Sequence, residues 1–309
     1  MIADVDAFLA AAGYHCLSCA LATDGLYSAK DSEWNYSDVP HLNYVHARVE
    51  GCPLLTTNTH ASSLFLQRIG PFAVPASLHV SHVASDVHDY LLIVLNIIVR
   101  VTTHHQPSGA GCLTTTRYNF YFRGILGRLV ALMARYATRR NYRVLMSEDL
   151  PMREQRHRLR QLGVVFAYDR KPLIGFVDTL NVHENHVDAT ALSHAERTTQ
   201  IDLSSDDGDL KVDQLLLRLT WDYQSVKIWP LICPHEGAPL SACAAQSSRS
   251  LMCPWHGRRL SPLAVVPRSV LDQELGFGFC RLEYLIRCTS IGSNQLRLQL
   301  VARPKHPES

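Results

Sequence analysis

The chain has 309 residues, 47% of them apolar and 19% charged, which suits one large or two ordinary packed domains and excludes wholesale disorder. Thirty basic residues face 28 acidic ones, so the overall charge gives no reason to expect nucleic acid or an anionic membrane as partner. Nine cysteines, an odd number in a chain of this length, argue against a disulfide scaffold.

The N-terminal run MIADVDAFLAAAGYHCLSCALA is apolar, but Asp4 and Asp6 stand where a signal peptide carries basic residues, so it predicts a helix of the mature protein. Cys16 and Cys19 form an isolated CxxC without a second ligand pair nearby. Cys52, Cys112, Cys243, Cys280 and Cys288 read as small apolar residues. Segments 63–72, 77–84, 89–103 and 114–122 are rich in β-branched and aromatic residues and are parted by Gly, Pro and Ser, which predicts strands. The longest apolar run, Tyr90 to Val99, is too short to span a bilayer as a helix and predicts a buried strand. His104 and His105 read as an exposed turn. From Gly124 to Gly163, Leu126, Leu129, Val130, Met133 and Tyr136 recur at helical spacing with arginines on the other face. This predicts one long helix or two in succession, with a break near Pro151.

Residues 178–210 are polar, His-rich and acidic, and predict a linker in which His183 and His186 are exposed. From Lys211 onward the short runs QLLLRLTW, SVKIWPLI, CRLEYLIRC and QLRLQLVA predict a small all-β module. The fold class is therefore α+β: a mixed domain over 1–177, the linker over 178–210 and the β module over 211–309.

The segment CPHEGAPLSACAAQSSRSLMCPWHG holds Cys233, His235, Cys253 and His256 as Cys-x-His, 17 residues, Cys-x-x-His. Two thiolates and two imidazoles on paired loops suit a [2Fe–2S] cluster in which one iron takes both cysteines and the other both histidines. Pro234, Gly237, Pro254 and Gly257 fit loops whose amides turn toward the cluster sulfurs. Structural zinc also accepts two cysteines and two histidines, but zinc fingers group like ligands, whereas each loop here supplies one of each. CPHEGAPL and CPWHG resemble the Rieske ferredoxin-like family closely.

The run WNYSDVPHLNYVH contains Asp38, His41 and His46 as Asp-x-x-His-x-x-x-x-His. It resembles the mononuclear-iron motif of Rieske non-haem iron oxygenases, whose catalytic domain is a helix-grip fold. That chemistry places two neutral imidazoles and one carboxylate on one face of Fe(II), leaving positions open for O₂ and substrate. Five residues turn about 140° round an α-helix, so a local π-type turn is expected to bring His41 and His46 together. By the same resemblance, SEDLPMREQRHRL supplies the third ligand, Asp149. Asp169 and then Asp178 are the alternatives. The resemblance also gives Asp38 a catalytic role, bridging to a cluster histidine and carrying the electron path, usually across a subunit boundary of a trimer. Helix capping is a second reading of Asp38.

Two departures stand out. The cluster follows the iron motif, whereas most of the family has the reverse order, and Trp34 occupies the position where the family commonly has asparagine, with Asn35 out of register. The resemblance implies a cytoplasmic oxygenase that oxidises an apolar organic substrate with O₂. Its electrons would come from an NAD(P)H-dependent reductase or a ferredoxin. The alternative is a non-catalytic helix-grip ligand-binding domain fused to a Rieske electron-transfer or redox-sensing module.

Overall fold

A computed structural model describes residues 4–46, 49–57, 60–69, 72–84, 87–94, 97–161, 164–170, 188–189, 196–202, 208–213, 217–221, 224–240, 250–267, 274–279, 282–292 and 295–304. Two units separate: Met1–His157 with Pro172–Thr179, and Arg158–Lys171 with Leu180–Ser309.

The first unit opens with α1 (Val5–Ala11), whose first turn is capped by Asp4: its carboxylate accepts from the backbone N–H of Asp6 and Ala7 at 3.0 and 3.1 Å. Strand β1 (His15–Gly25) follows, then α2 (Ala29–Ser37). Ser28 and Asp31 form a capping box at the start of α2. After a 3-10 turn over Val39–His41 come α3 (Leu42–Val45), β2 (Val49–Thr56), β3 (His60–Ile69), β4 (Phe72–Ala84), β5 (Val87–Val94), β6 (Ile97–Ser108), β7 (Gly111–Phe122) and α4 (Gly124–Gln161).

These strands form one antiparallel sheet in the order β1-β7-β6-β5-β4-β3-β2. Successive hairpins account for β2 to β7. The helices inserted after β1 send it to the far edge, where it pairs with β7 from His15↔Phe122 to Gly25↔Cys112. One face of the sheet, with Cys19, Ala61, Leu78, Val80, Tyr90, Val99, Val101 and Phe120, packs with Ala131 of α4 in a shared core. A long helix held against an antiparallel sheet in this connectivity is the helix-grip fold.

Three sequence expectations change. The apolar run Tyr90–Val99 is not one strand; it spans the end of β5 and the start of β6, with Val94 paired to Ile97. Both strands are central in the sheet, so their sequences join into one apolar stretch. His104 and His105 lie inside β6, and His105 is buried. Helix α4 runs through Pro151 unbroken. Asp149, Met152, Arg153 and Arg156 are all buried around that proline, and their packing offsets a helix-interior penalty of about 3 kcal/mol.

The orientation of α4 is also unexpected. Small side chains meet the core: Ala131 is fully buried, Val130 and Ala134 pack beside it, and a Cβ on Gly127 would sit 3.3 Å from Phe122 Cβ. Leu126, Leu129, Met133 and Tyr136 are exposed. Ala131 has no exposed surface, so a larger side chain there must displace its neighbours.

The second unit contains β8 (Val164–Val165), α5 (Ala167–Arg170), β9 (Asp188–Ala189), β10 (Glu196–Asp202), β11 (Gly208–Asp213), β12 (Leu217–Trp221), β13 (Ser225–Pro230), β14 (Leu251–Met252), β15 (Arg259–Leu260), β16 (Ala264–Pro267), β17 (Glu274–Phe279), β18 (Leu282–Gly292) and β19 (Gln295–Pro304). Two four-stranded sheets, β10-β19-β18-β17 and β11-β12-β13-β16, accompany the hairpin β14-β15. The polar run predicted as a linker thus carries β9, β10 and the start of β11. Both β10 and β11 are edge strands, which favour polar and charged residues.

The inward role of the small residues is testable. Ala131→Leu should lower stability by about 1–3 kcal/mol through overpacking, whereas Leu129→Ser should stay within about 0.5 kcal/mol, both read from urea unfolding.

Candidate functional site

In the second unit, two loops repeat one geometry. After β13, Cys233 N–H donates to Ala238 C=O at 2.8 Å and Gly237 N–H donates to Cys233 C=O at 2.9 Å. Between β14 and β15, Cys253 N–H donates to Arg258 C=O at 2.7 Å and Gly257 N–H donates to Cys253 C=O at 2.8 Å. Each loop starts on Cys-Pro and closes on a glycine with positive φ, +83° at Gly237 and +63° at Gly257. The histidine is the third residue of one loop and the fourth of the other. The imidazoles of His235 and His256 meet edge to face, with centroids 5.0 Å apart. Cys253 Sγ lies 4.0 Å from His256 Nδ1.

Cys233, Cys253 and His235 are buried. A hydrogen bond from Cys233 pulls the Cys253 thiol down to about 5, against burial and with help from His256, while Cys233 is pushed well up. Two sulfurs close enough to share a proton, with two imidazoles beside them, make the donor set a [2Fe–2S] cluster requires. Loop and surroundings interlock: Glu236 accepts from Tyr168 N–H at 3.2 Å, and a Cβ on Gly237 would stand 2.7 Å from Phe166 Cε1 and 2.8 Å from Leu159 Cδ1.

The first unit brings His41, His46 and Asp149 together, all buried, with one ligand atom from each lying within 4.8 Å of the others. His46 Nε2 is 3.2 Å from His41 Nε2 and 3.2 Å from Asp149 Oδ1, and His41 Nε2 is 3.6 Å from that same oxygen. The backbone achieves this without a π-type turn. His41 closes the 3-10 turn, and His46 leaves α3 in an extended conformation (φ −97°, ψ 107°), which swings its ring back toward His41. Asp149 comes from the middle of α4.

The tautomers follow from the outer partners. His41 Nδ1 meets the Asp38 carbonyl oxygen, which can only accept, so Nδ1 carries the proton. His46 Nδ1 lies 2.7 Å from Glu148 Oε2, a carboxylate that orients the ring in the same sense. Each Nε2 therefore presents a lone pair to the other and to the carboxylate. Asp149 Oδ1 is buried and accepts no hydrogen bond. Three electron-rich atoms facing one point call for a cation. Donors about 2.1 Å from an ion stand about 3.0 to 3.4 Å apart, and the observed spacings of 3.2 to 3.6 Å fit.

In the metal-free site a proton on His46 takes the place of the cation. Burial alone would raise the Asp149 carboxyl, but His41, His46 and Arg153 more than offset it and hold it well below the usual range. Burial would lower His46, but Asp149 and Glu148 raise it. Arg153, wholly buried, places Nη2 3.6 Å from Asp149 Oδ2 and donates to Asn35 Oδ1 from Nη2 and Nε at 2.8 and 3.0 Å. Oδ2 thus faces the arginine and Oδ1 faces the imidazoles. Asp38 lies beside His41, its carboxylate 3.9 Å from Nδ1. It is the C-cap of α2 and directly precedes the 3-10 turn Val39–His41.

Of the two alternatives to Asp149, the structure describes Asp169. Asp169 accepts from Arg160 Nη2 at 2.8 Å and from Phe166 N–H at 3.0 Å, in the other unit. Asp178, His183 and His186 lie outside the described residues. Cys16 is exposed and Cys19 buried, as a three-residue step in a strand dictates, so the CxxC does not form a pair.

Sequence reasoning missed Glu148 and Arg153 as partners, although their offsets of one and four residues from Asp149 on a helix were available. It also missed a buried relay. Ser37 Oγ contacts His88 Nε2 (2.7 Å), His88 Nδ1 contacts His105 Nε2 (3.2 Å), His105 Nδ1 contacts Ser32 Oγ (3.0 Å), and Ser32 Oγ contacts Thr114 Oγ1 (2.8 Å). Nothing in the sequence links His88 to His105; strand pairing does.

Residues 196–266 match the Rieske [2Fe-2S] domain family. None of the curated proteins matches the chain. Among solved structures, the Zhui aromatase/cyclase of Streptomyces sp. R1128 aligns at 10% identity and a TM-score of 0.42 over 46% of this chain and 96% of its own. The protein TTHA0849 of Thermus thermophilus aligns at 12% identity and 0.38 over 43% and 94%. Norcoclaurine synthase of Thalictrum flavum aligns at 14% identity and 0.31 over 40% and 85%. Fold and loops together define a helix-grip domain joined to a Rieske domain. A Rieske domain implies a [2Fe–2S] cluster that exchanges single electrons with a partner. Among the described residues, no helix is long and apolar enough to cross a membrane.

Two predictions test the site geometry. Gly237→Val should lose most of the bound iron and sulfide, read by visible absorption, because it adds strain and overlap. Gly109→Val, also at positive φ but with open space around it, should keep them. Arg153→Met should destabilise the metal-free protein by about 3–5 kcal/mol in urea unfolding, because it leaves the Asp149 charge buried without its cation.

Proposed function

We propose that the chain is a Rieske-type non-haem iron oxygenase component. One observation carries the reading: two imidazole Nε2 atoms and one carboxylate oxygen, each oriented by an outer partner, converge on a buried point in the same chain as a Rieske domain. His41, His46 and Asp149 would hold a mononuclear Fe(II), and Cys233, His235, Cys253 and His256 the cluster. Bound iron supplies the site where O₂ is reduced and the substrate oxidised.

The surrounding residues have defined tasks. Glu148 and the Asp38 carbonyl keep both Nε2 atoms deprotonated and aimed inward. Arg153 turns Asp149 so that one oxygen faces the triad, and neutralises part of its charge. Asp38, beside His41, is the carboxylate that by family resemblance links to a cluster histidine and carries the electron path. For a hydroxylation the balance is R–H + O₂ + 2 e⁻ + 2 H⁺ → R–OH + H₂O. A cluster held by Cys233, His235, Cys253 and His256 would supply one electron at a time, so two deliveries would be needed, from a reductase or ferredoxin that draws on NAD(P)H. The substrate class, an apolar organic molecule, is the one that the family resemblance implies.

The test is oxygen consumption by the full chain, with reductant supplied and apolar substrates screened. His41→Ala should leave the cluster spectrum intact and abolish substrate-dependent O₂ uptake. A fully active His41→Ala protein would remove the assignment.

A further inference from the structure

Helix α4 has a second apolar face. Opposite the side that packs on the sheet, Ile125, Leu129, Met133 and Tyr136 follow one another at helical steps and are 82%, 55%, 72% and 70% exposed. Leu126 and Leu132 are exposed beside them. At about 100° per residue, the six occupy an arc of about 120°. An exposed apolar ridge of this size, rimmed by polar residues, marks an interaction site.

Its charge says what kind. Residues 124–147 contain Arg128, Arg135, Arg139, Arg140 and Arg143 and no Asp or Glu. Among the described residues, the ion-paired arginines are Arg68, Arg100, Arg153, Arg156 and Arg160, so none of these five is neutralised by a carboxylate. Arg140 and Arg143 continue the apolar arc by up to two further turns and Arg128 lies on one flank, whereas Arg135, with its Nε buried, and Arg139 act on Cys19 of the core, so the outward arginines are Arg128, Arg140 and Arg143. The near balance of charge over the whole chain conceals this concentration.

We propose that the outer face of α4 docks on an anionic phospholipid surface. Ile125, Leu129, Met133 and Tyr136 enter the boundary between headgroups and acyl chains, and the arginines pair with lipid phosphates. The ridge is convex with its apolar residues at the crest, a shape that suits a deformable plane better than a protein groove. A second copy of the same face would oppose two sets of three outward arginines with no carboxylate on either. The contact is peripheral. It rests on the first unit alone and stands whether or not the triad binds iron.

The experiment is co-sedimentation of the full chain with phosphatidylcholine vesicles, with and without about one third phosphatidylserine. Binding should require phosphatidylserine and weaken with added salt. The triple variant Arg128→Glu, Arg140→Glu, Arg143→Glu should bind at least about a hundredfold more weakly. Leu129→Ser with Met133→Ser should bind more weakly while keeping the salt dependence. Unchanged circular dichroism and cluster absorbance would show that both variants fold. No binding to anionic vesicles, or binding indifferent to the arginine changes, would overturn the proposal. So would a vesicle-independent dimer that Leu129→Ser with Met133→Ser disrupts, or soluble polyglutamate competing as well as the lipid.

Discussion

A carboxylate in the interior of a protein must be compensated, and the first unit is organised around the compensation of Asp149. It sits wholly among side chains, midway along α4, with Arg153 one turn further on and two imidazoles across from it. The arginine answers one oxygen. The other faces only lone pairs, an arrangement that is unfavourable without a cation and strongly favourable with one. The helix passes unbroken through Pro151 a few residues away, which holds Asp149 and Arg153 on a single rigid element.

The outer partners matter as much as the donors. His41 donates Nδ1–H to its own turn, through the Asp38 carbonyl, and His46 is oriented by Glu148 on the facing helix. Glu148 and Asp149 are adjacent in sequence, so one point on α4 fixes both a donor and the carboxylate that orients another. In the Rieske unit the same economy appears differently: two loops of matching hydrogen bonding, each closed by a glycine, present one cysteine and one histidine apiece. The two sites meet different needs. The loops offer two thiols and two imidazoles; the triad offers two imidazoles and one carboxylate.

Much of this was legible in the sequence, and the reasons differ from residue to residue. The two Cys-Pro loops are local, so their spacing brings out Cys233, His235, Cys253 and His256 as a set, and the resemblance of CPHEGAPL and CPWHG to the Rieske family favours a cluster over zinc. His41 and His46 are close in sequence, yet their convergence depends on a change of backbone conformation at His46 that side-chain periodicity does not encode. Asp149 was reached through family resemblance, because a ligand more than a hundred residues distant is set by how α4 lies on the sheet. His105 was misplaced for a related reason: its burial comes from its position in β6 and its contact with His88. The stripe Leu126–Tyr136 carried the correct period but not its direction, because periodicity reveals a face without saying which face is turned inward. The burial of Ala131, with Val130 and Ala134 packed beside it, decides that.

The central claim is that this chain holds a mononuclear metal at His41, His46 and Asp149 in addition to its cluster. Iron and acid-labile sulfide measured together on the purified chain test it most directly. About three irons to two sulfides per chain are expected, falling to two and two in His46→Ala with the cluster spectrum unchanged. Two irons and two sulfides in the unaltered chain, with zinc or no metal at the triad, would contradict it.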